Sequence, residues 1–189
     1  MEREEELILI EKIKAGDDEL YKFLVDSYSA KILSIVKGVV RNSADAEEVA
    51  QDVFVKAFFS LKKFRGESSF STWIYRIAYN MSISRVRKKS RYVNVENISS
   101  FAVTDNSDSS TDNESLTKEE LFRIMDSIIE KLDPGERFLI HSFYNHEKSI
   151  KEISEITGIS ESNVKVKLHR IKKRITALAN EENRGIIYG

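Results

Sequence analysis

Ser149 to Leu178 reads SIKEISEITGISESNVKVKLHRIKKRITAL, and this stretch decides the fold. Ser149-Ile150-Lys151-Glu152 has capping-box form, with a hydroxyl for the amide three residues on and a carboxylate reaching back. Ile150, Ile153 and Ile156 lead to Gly158, and a new helix begins near Ser160. In that helix Val164, Leu168, Ile171, Ile175 and Leu178 recur at intervals of four, three, four and three, which makes them its buried face. At about 100° per residue, Ser162, Val166, His169 and Lys173 lie opposite. Lys165 stands on one flank, and Asn163, Lys167, Arg170 and Arg174 on the other. A helix of about eight residues, a turn with a glycine and then a longer basic helix is the pattern of a helix-turn-helix.

In such a motif, residues near the start of the second helix reach base edges, and cations on its flanks and later turns meet phosphates. Ser162, Asn163, Val166 and Lys167 are therefore expected to meet bases. Lys165, His169, Arg170, Lys173 and Arg174 are expected on the backbone, with Ser160 at the helix entry in the same DNA-facing set. An exposed β-branched Val166 amid cations suits contact with a thymine methyl.

Working outward, the sequence reads as helix throughout. One proline and seven glycines in 189 residues leave few chain breakers, and the segments between them follow helical periods. Asp133-Pro134-Gly135-Glu136 starts a helix with proline at its first position, and Leu121, Ile124, Ile128 and Leu132 form the face of the helix before it. Thr117-x-x-Glu120 has capping-box form and marks the start of the second unit. Upstream, the Thr104 to Ser115 stretch TDNSDSSTDNES favours local turns over ladders and reads as linker. In the first half Asp18 is expected to cap a helix running through Leu20, Phe23, Leu24, Tyr28, Ile32, Ile35, Val36, Val39 and Val40. Ser43 is expected to cap the next, with Asp45, Glu47 and Glu48 in its first turn and Ala46, Val49, Ala50, Val53, Phe54, Ala57, Phe58 and Leu61 inward. Ser69 or Ser71 opens a third helix through Trp73, Ile74, Ile77, Ala78 and Met81. The expected architecture is all-α: a first domain over 1–92, a flexible acidic linker over 93–116 and a second domain over 117–189.

Net charge is −1, but its distribution is uneven. Arg76, Arg85, Arg87, Lys88, Lys89 and Arg91 give +6 with no acid between Glu67 and Glu96. Tyr92 to Leu116 carries −5, and Lys165 to Arg174 returns to +6. Two basic patches flank an acidic linker. The chain contains no cysteine, which excludes disulfides, thiolate metal sites and cysteine nucleophiles. Leu7 to Ile10 is too short for a signal-peptide core or a membrane span, so a cytoplasmic protein without membrane insertion is expected. The histidines are His141, His146 and His169, and a spacing of five does not align the first two on one α-helical face. Each reads as an ordinary surface or core residue. With no glycine-rich phosphate loop, GxSxG elbow or zinc spacing, no catalytic residue, metal or cofactor is expected.

Phe64 to Arg91, FRGESSFSTWIYRIAYNMSISRVRKKSR, interleaves Phe64, Phe70, Trp73, Tyr75 and Tyr79 with cations. That composition suits single-stranded DNA, whose bases stack on rings while cations neutralise phosphates, although Trp73 and Ile77 serve equally as core. Together DAEEVAQDVFVKAF (Asp45 to Phe58), FRGESSFSTWIYRIAYN (Phe64 to Asn80), the basic stretch, the acidic linker and the C-terminal helix-turn-helix resemble the extracytoplasmic-function (ECF) sigma factors of the sigma-70 family. The resemblance spans roughly Asp17 to Ala179 and implies a sigma-2 domain followed by a sigma-4 domain. It implies that the Asp45 to Leu61 helix docks on the clamp coiled coil of core RNA polymerase through Glu47, Glu48, Gln51 and Asp52, with the flap as a further contact. It implies that the loop Phe64, Arg65, Gly66, Glu67, Ser68 and Ser69 receives a base flipped from the non-template strand near the minus-10 element. Arg76, Tyr79, Asn80, Arg85, Arg87 and Lys88 would hold that strand, and the helix-turn-helix would read the minus-35 duplex. Promoter DNA and an anti-sigma factor complete the implied partners. The main rival, a response regulator with its own helix-turn-helix, needs a phosphoacceptor aspartate on a parallel sheet, and the first half has no strand pattern.

Overall fold

Heptad-like apolar spacing produces helices, and in the computed structural model they are the only regular structure among the described residues, 3–96 and 127–188 (side chains 3–89 and 127–177). Helix α1 (Arg3–Lys14) precedes α2 (Tyr21–Val40), α3 (Ser43–Ser60) and α4 (Phe70–Glu96). The second half holds α5 (Pro134–Ile140), a π-helical turn (His141–Asn145), α6 (Ile150–Thr157) and α7 (Glu161–Tyr188). Because α4 runs on to Glu96, residues 93–96 are helical rather than linker. The rest of the expected linker, with Thr117 to Glu120, Leu121 and Ile124, falls outside the described residues.

Helices α2, α3 and α4 form a bundle whose interior is Leu24, Ile32, Ile35, Val36 and Val39 against Ala46, Val49, Ala50, Val53 and Ala57, closed by Phe70, Ile74, Tyr75 and Ala78. The alanines of α3 let its neighbours approach closely. Phe23, expected on the buried face of α2, is 53% exposed, because that face turns toward Leu24 instead. Two caps differ from expectation. Asp18 lies within a 3-10 turn, Asp18–Leu20, that leads into α2. Asn42 rather than Ser43 caps α3, its Oδ1 accepting from the Asp45 amide at 2.9 Å. Ser69 caps α4, its hydroxyl accepting from the Thr72 amide at 3.1 Å. Helix α1 was not expected. It buries Ile10 and Ile13 in the bundle, and Tyr28 donates to the Glu6 carboxylate at 2.6 Å.

In the second half, Leu132, Leu139, Ile140, Ile153, Val164, Leu168 and Ile171 make a smaller core. The two cores meet. Phe138 and Ile156 belong to the larger one, with the Phe138 ring 4.7 Å from that of Tyr79. Arg137, 8% exposed, donates to the carbonyls of Val39 and Leu132 at 2.9 Å each. Arg41 pairs with Glu130 at 3.2 Å, and Lys148 donates to Ser71 at 2.8 Å. Phe138→Ala should remove about 3 to 5 kcal/mol of stability, the usual cost of emptying a buried phenyl site. Thermal unfolding of the full chain measures it, and an unchanged midpoint would mean the ring contributes nothing.

Candidate nucleic-acid and polymerase interface

The helix-turn-helix forms as its caps dictate. Ser149 and Glu152 close a reciprocal capping box, and Gly158 ends α6 in the left-handed region at φ 76°, where an L side chain is strained. The Ser160 hydroxyl accepts from the Asn163 amide at 3.4 Å and shares a hydrogen bond with Ser162 at 3.1 Å. Ser160 is thus spent partly on capping. Val164, Leu168 and Ile171 are buried, whereas Ser162, Asn163, Lys165, Val166, Lys167, His169, Arg170, Lys172 and Lys173 are exposed. Val166 stands 45% open among these cations. Arg174 is exposed too but is held back by its own domain, donating to Glu136 at 3.1 Å and to the Lys131 carbonyl at 2.9 Å.

The expected minus-10 residues divide into two sets. Phe64 is 3% exposed and walled by Phe70 and Trp73, with ring centroids 5.9 and 5.3 Å away, so it supports the loop rather than offering a face to a base. Lys14 of α1 donates to the Phe64 carbonyl at 2.7 Å and so pins the loop from behind. The sequence carried no signal for that link, since 50 residues separate the two. Gly66 has φ 72°, which lets the chain turn outward, and Arg65 and Glu67 reach solvent with side chains 83% and 81% exposed. Ser68 is half-buried. On α4, Arg76, Asn80, Arg87 and Lys88 are exposed. Tyr79 is half-buried beneath Phe138, and burial pushes its phenol upward from the ordinary value.

Arg85 stands apart from that set. It pairs with Glu48 at 2.7 Å and Asp45 at 3.4 Å, and Lys89 pairs with Asp45 at 2.8 Å. The hydrogen bond from Lys89 lowers Asp45, and the hydrogen bond from Arg85 lowers Glu48. One expected strand contact and one expected polymerase contact therefore hold each other.

The outer face of α3 presents Glu47, Glu48, Gln51 and Asp52, and it continues into side chains the sequence pattern did not single out. Val55 is 54% exposed and Phe59 78%, four and eight positions beyond Gln51. They border an open groove of about 560 Å³ lined by Tyr21, Val25, Phe54 and Phe58, with the charged Asp18, Glu19, Lys22 and Asp26 beside them. The signal was available: Phe58 and Phe59 are adjacent, so one helix face cannot bury both.

Comparisons with known proteins bear on the family. Residues 24–92 match the Sigma-70 region 2 model and residues 122–175 the Sigma-70, region 4 model. The ECF RNA polymerase sigma factor SigW of Bacillus subtilis (strain 168) is 33% identical over 167 residues, covering 85% of this chain and 89% of that protein. The ECF RNA polymerase sigma-E factor of Escherichia coli (strain K12) is 42% identical over 73 residues, covering 39% of this chain and 38% of that one. Among solved structures, the sigma factor RpoE in complex with the anti-sigma factor NepR from Bartonella quintana aligns over 85% of this chain and 96% of its own. Its TM-score is 0.64 at 19% identity, which is likeness of fold. A basic helix-turn-helix, an aromatic helix behind an outward glycine loop, and the matched regions 2 and 4 in that order converge on one assignment: the chain belongs to the ECF branch of the sigma-70 family of RNA polymerase sigma factors.

Proposed function

We propose that this sigma factor docks on core polymerase through the outer face of α3, with Gln51 and Asp52 as polar contacts and Val55 and Phe59 as the apolar centre. The loop Arg65 to Ser69 with Arg76 and Asn80 then takes the non-template strand of the minus-10 element, and α7 reads the minus-35 duplex. The observation that carries this reading is the pairing, on one chain, of an open cationic helix-turn-helix face with an outward loop braced by Lys14 and Phe64. The same α3 face and the apolar groove beside it would suit an anti-sigma factor, which is the partner named for the Bartonella quintana relative. The protein acts in the cytoplasm, without catalysis of its own. Run-off transcription with core polymerase tests the reading: a promoter-specific transcript should require this chain, and a chain that adds none sinks it.

Within α7 the roles separate by salt. Lys173→Ala should weaken holoenzyme binding to all minus-35 sequences alike and lower the salt-dependence slope by about one, since one phosphate contact is lost. Asn163→Ala should instead relax choice at one or two positions, at roughly 1 to 3 kcal/mol for a good base contact. Binding to a panel of duplexes at several salt concentrations reads both. Identical profiles for the two variants would remove the division.

A further inference from the structure

The seam between the halves holds a half-buried group that neither docking nor DNA reading uses. His146 closes the π-helical turn, its amide donating to the His141 carbonyl at 3.1 Å, so a spacing of five does bring these histidines to one side. Its Nδ1 shares a hydrogen bond with the Tyr75 hydroxyl at 3.0 Å, and the two rings meet edge to face at 5.6 Å. Its Nε2 is shut from solvent with no partner. The groups around it come from every neighbouring element: Tyr75 from α4, Lys31 and Ser34 from α2, Glu147 and Lys148 from the turn's exit, and Glu152 from α6. Glu152 is already committed, 2.9 Å from Lys148 and accepting from the Ser149 amide at 2.9 Å, and the exposed Glu147 borders the same cavity. An imidazolium formed here would sit beside the Lys31 and Lys148 ammonium groups, with Glu152 committed to Lys148 and only the exposed, solvent-screened Glu147 to offset them.

We propose that the seam is a latch opened by acid, with His146 as its key: proton uptake there parts α5 and the π-helical turn from α2 and α4 and uncovers Tyr79. Burial, then the neighbouring His141, Lys148 and Lys31, holds the imidazole below its ordinary range. Parting the halves returns it to about 6.5. The closed form thus binds fewer protons. Its advantage is complete above about pH 6.5 and declines as pH falls through that value, by up to about tenfold per unit until the closed form itself takes the proton. That uncovering Tyr79 aids strand capture rests on the function proposed above; the opening does not.

The absence of cysteine allows spin labels at Lys62→Cys and Lys151→Cys in the full chain, on exposed positions of the two halves. A single short distance is expected at about pH 7.5, with a longer one growing in by about pH 5.5 while the circular-dichroism signal of helix persists. His146→Gln keeps a partner for Tyr75 without a titrating charge and should flatten the profile. Gly38→Ala should lengthen the distance at both pH values, because its Cβ would stand 2.5 Å from the His141 Cδ2, while favouring helix α2 itself. A distribution that does not change with pH overturns the latch. So does a response that survives His146→Gln, or a lengthening that tracks loss of helix. Run-off activity of the unlabelled chain at about pH 7.5 judges the sigma-factor roles independently of all three.

Discussion

Val55→Asp or Phe59→Asp is expected to cut the affinity for core polymerase by roughly thirty-fold, about 2 kcal/mol, the size of effect seen when a central apolar anchor is lost from an interface. Both side chains point outward, at 54% and 78% exposure, so helicity and thermal midpoint should stay close to those of the unchanged chain. Co-purification with core polymerase, titrated over sigma concentration, measures the loss. Asp52→Lys is the matching charge test, since Asp52 is exposed on the same face. Glu48→Lys is a poorer one: it would also release Arg85, 2.7 Å away, and disturb the α3 to α4 brace. Should both apolar variants bind as well as the parent, the docking assignment on α3 fails.

The architecture was legible wherever local chemistry decides it. Ser149, Glu152 and Gly158 act within one or two turns of themselves, so their spacing alone located α6 and its end. The apolar intervals of α2, α3 and α7 likewise named most buried residues, because a helix shows its buried face in its own period. What spacing does not carry is the identity of the surface that covers a face. Phe138 lies on the buried side of α5, yet nothing in its neighbours says that Tyr79, 59 positions earlier in the numbering, supplies the wall. The pairing of Arg85 with Asp45 and Glu48 is hidden for the same reason. Helix α1 opens on Glu4, Glu5 and Glu6, acids that favour a helix N-terminus, but its short apolar run does not say which surface covers it. The π-helical turn is the sharpest case, since a spacing of five falls off an α-helical face but aligns once the turn widens.

Deleting Glu67 and Ser68 is expected to abolish promoter opening while leaving the closed complex intact. The loop's outward course depends on Gly66 at φ 72°, and its ends are fixed: Phe64 is buried at one side, and Ser69 caps α4 at the other. Removing the two residues between Gly66 and Ser69 therefore shortens the receiving surface without dismantling either anchor. Extruding a base costs a few kcal/mol, and the contacts in the loop must offset that cost for the melted state to be populated. Losing about 3 kcal/mol of it should lower the open fraction by roughly a hundredfold. Permanganate reactivity of minus-10 thymines in the holoenzyme reads that fraction directly, and mobility shift at low temperature reads the closed complex. Arg65→Ala with Glu67→Ala is the control for charge, because an exposed pair 3.9 Å apart contributes little to stability and leaves the loop length unchanged. Phe64→Ala would not serve, since emptying its buried site costs about 3 to 5 kcal/mol and would confuse unfolding with loss of capture. If the shortened chain still renders the minus-10 thymines reactive at the parental level, the loop is not where the strand is held, and capture must lie on the exposed Arg76 and Asn80 face of α4 alone.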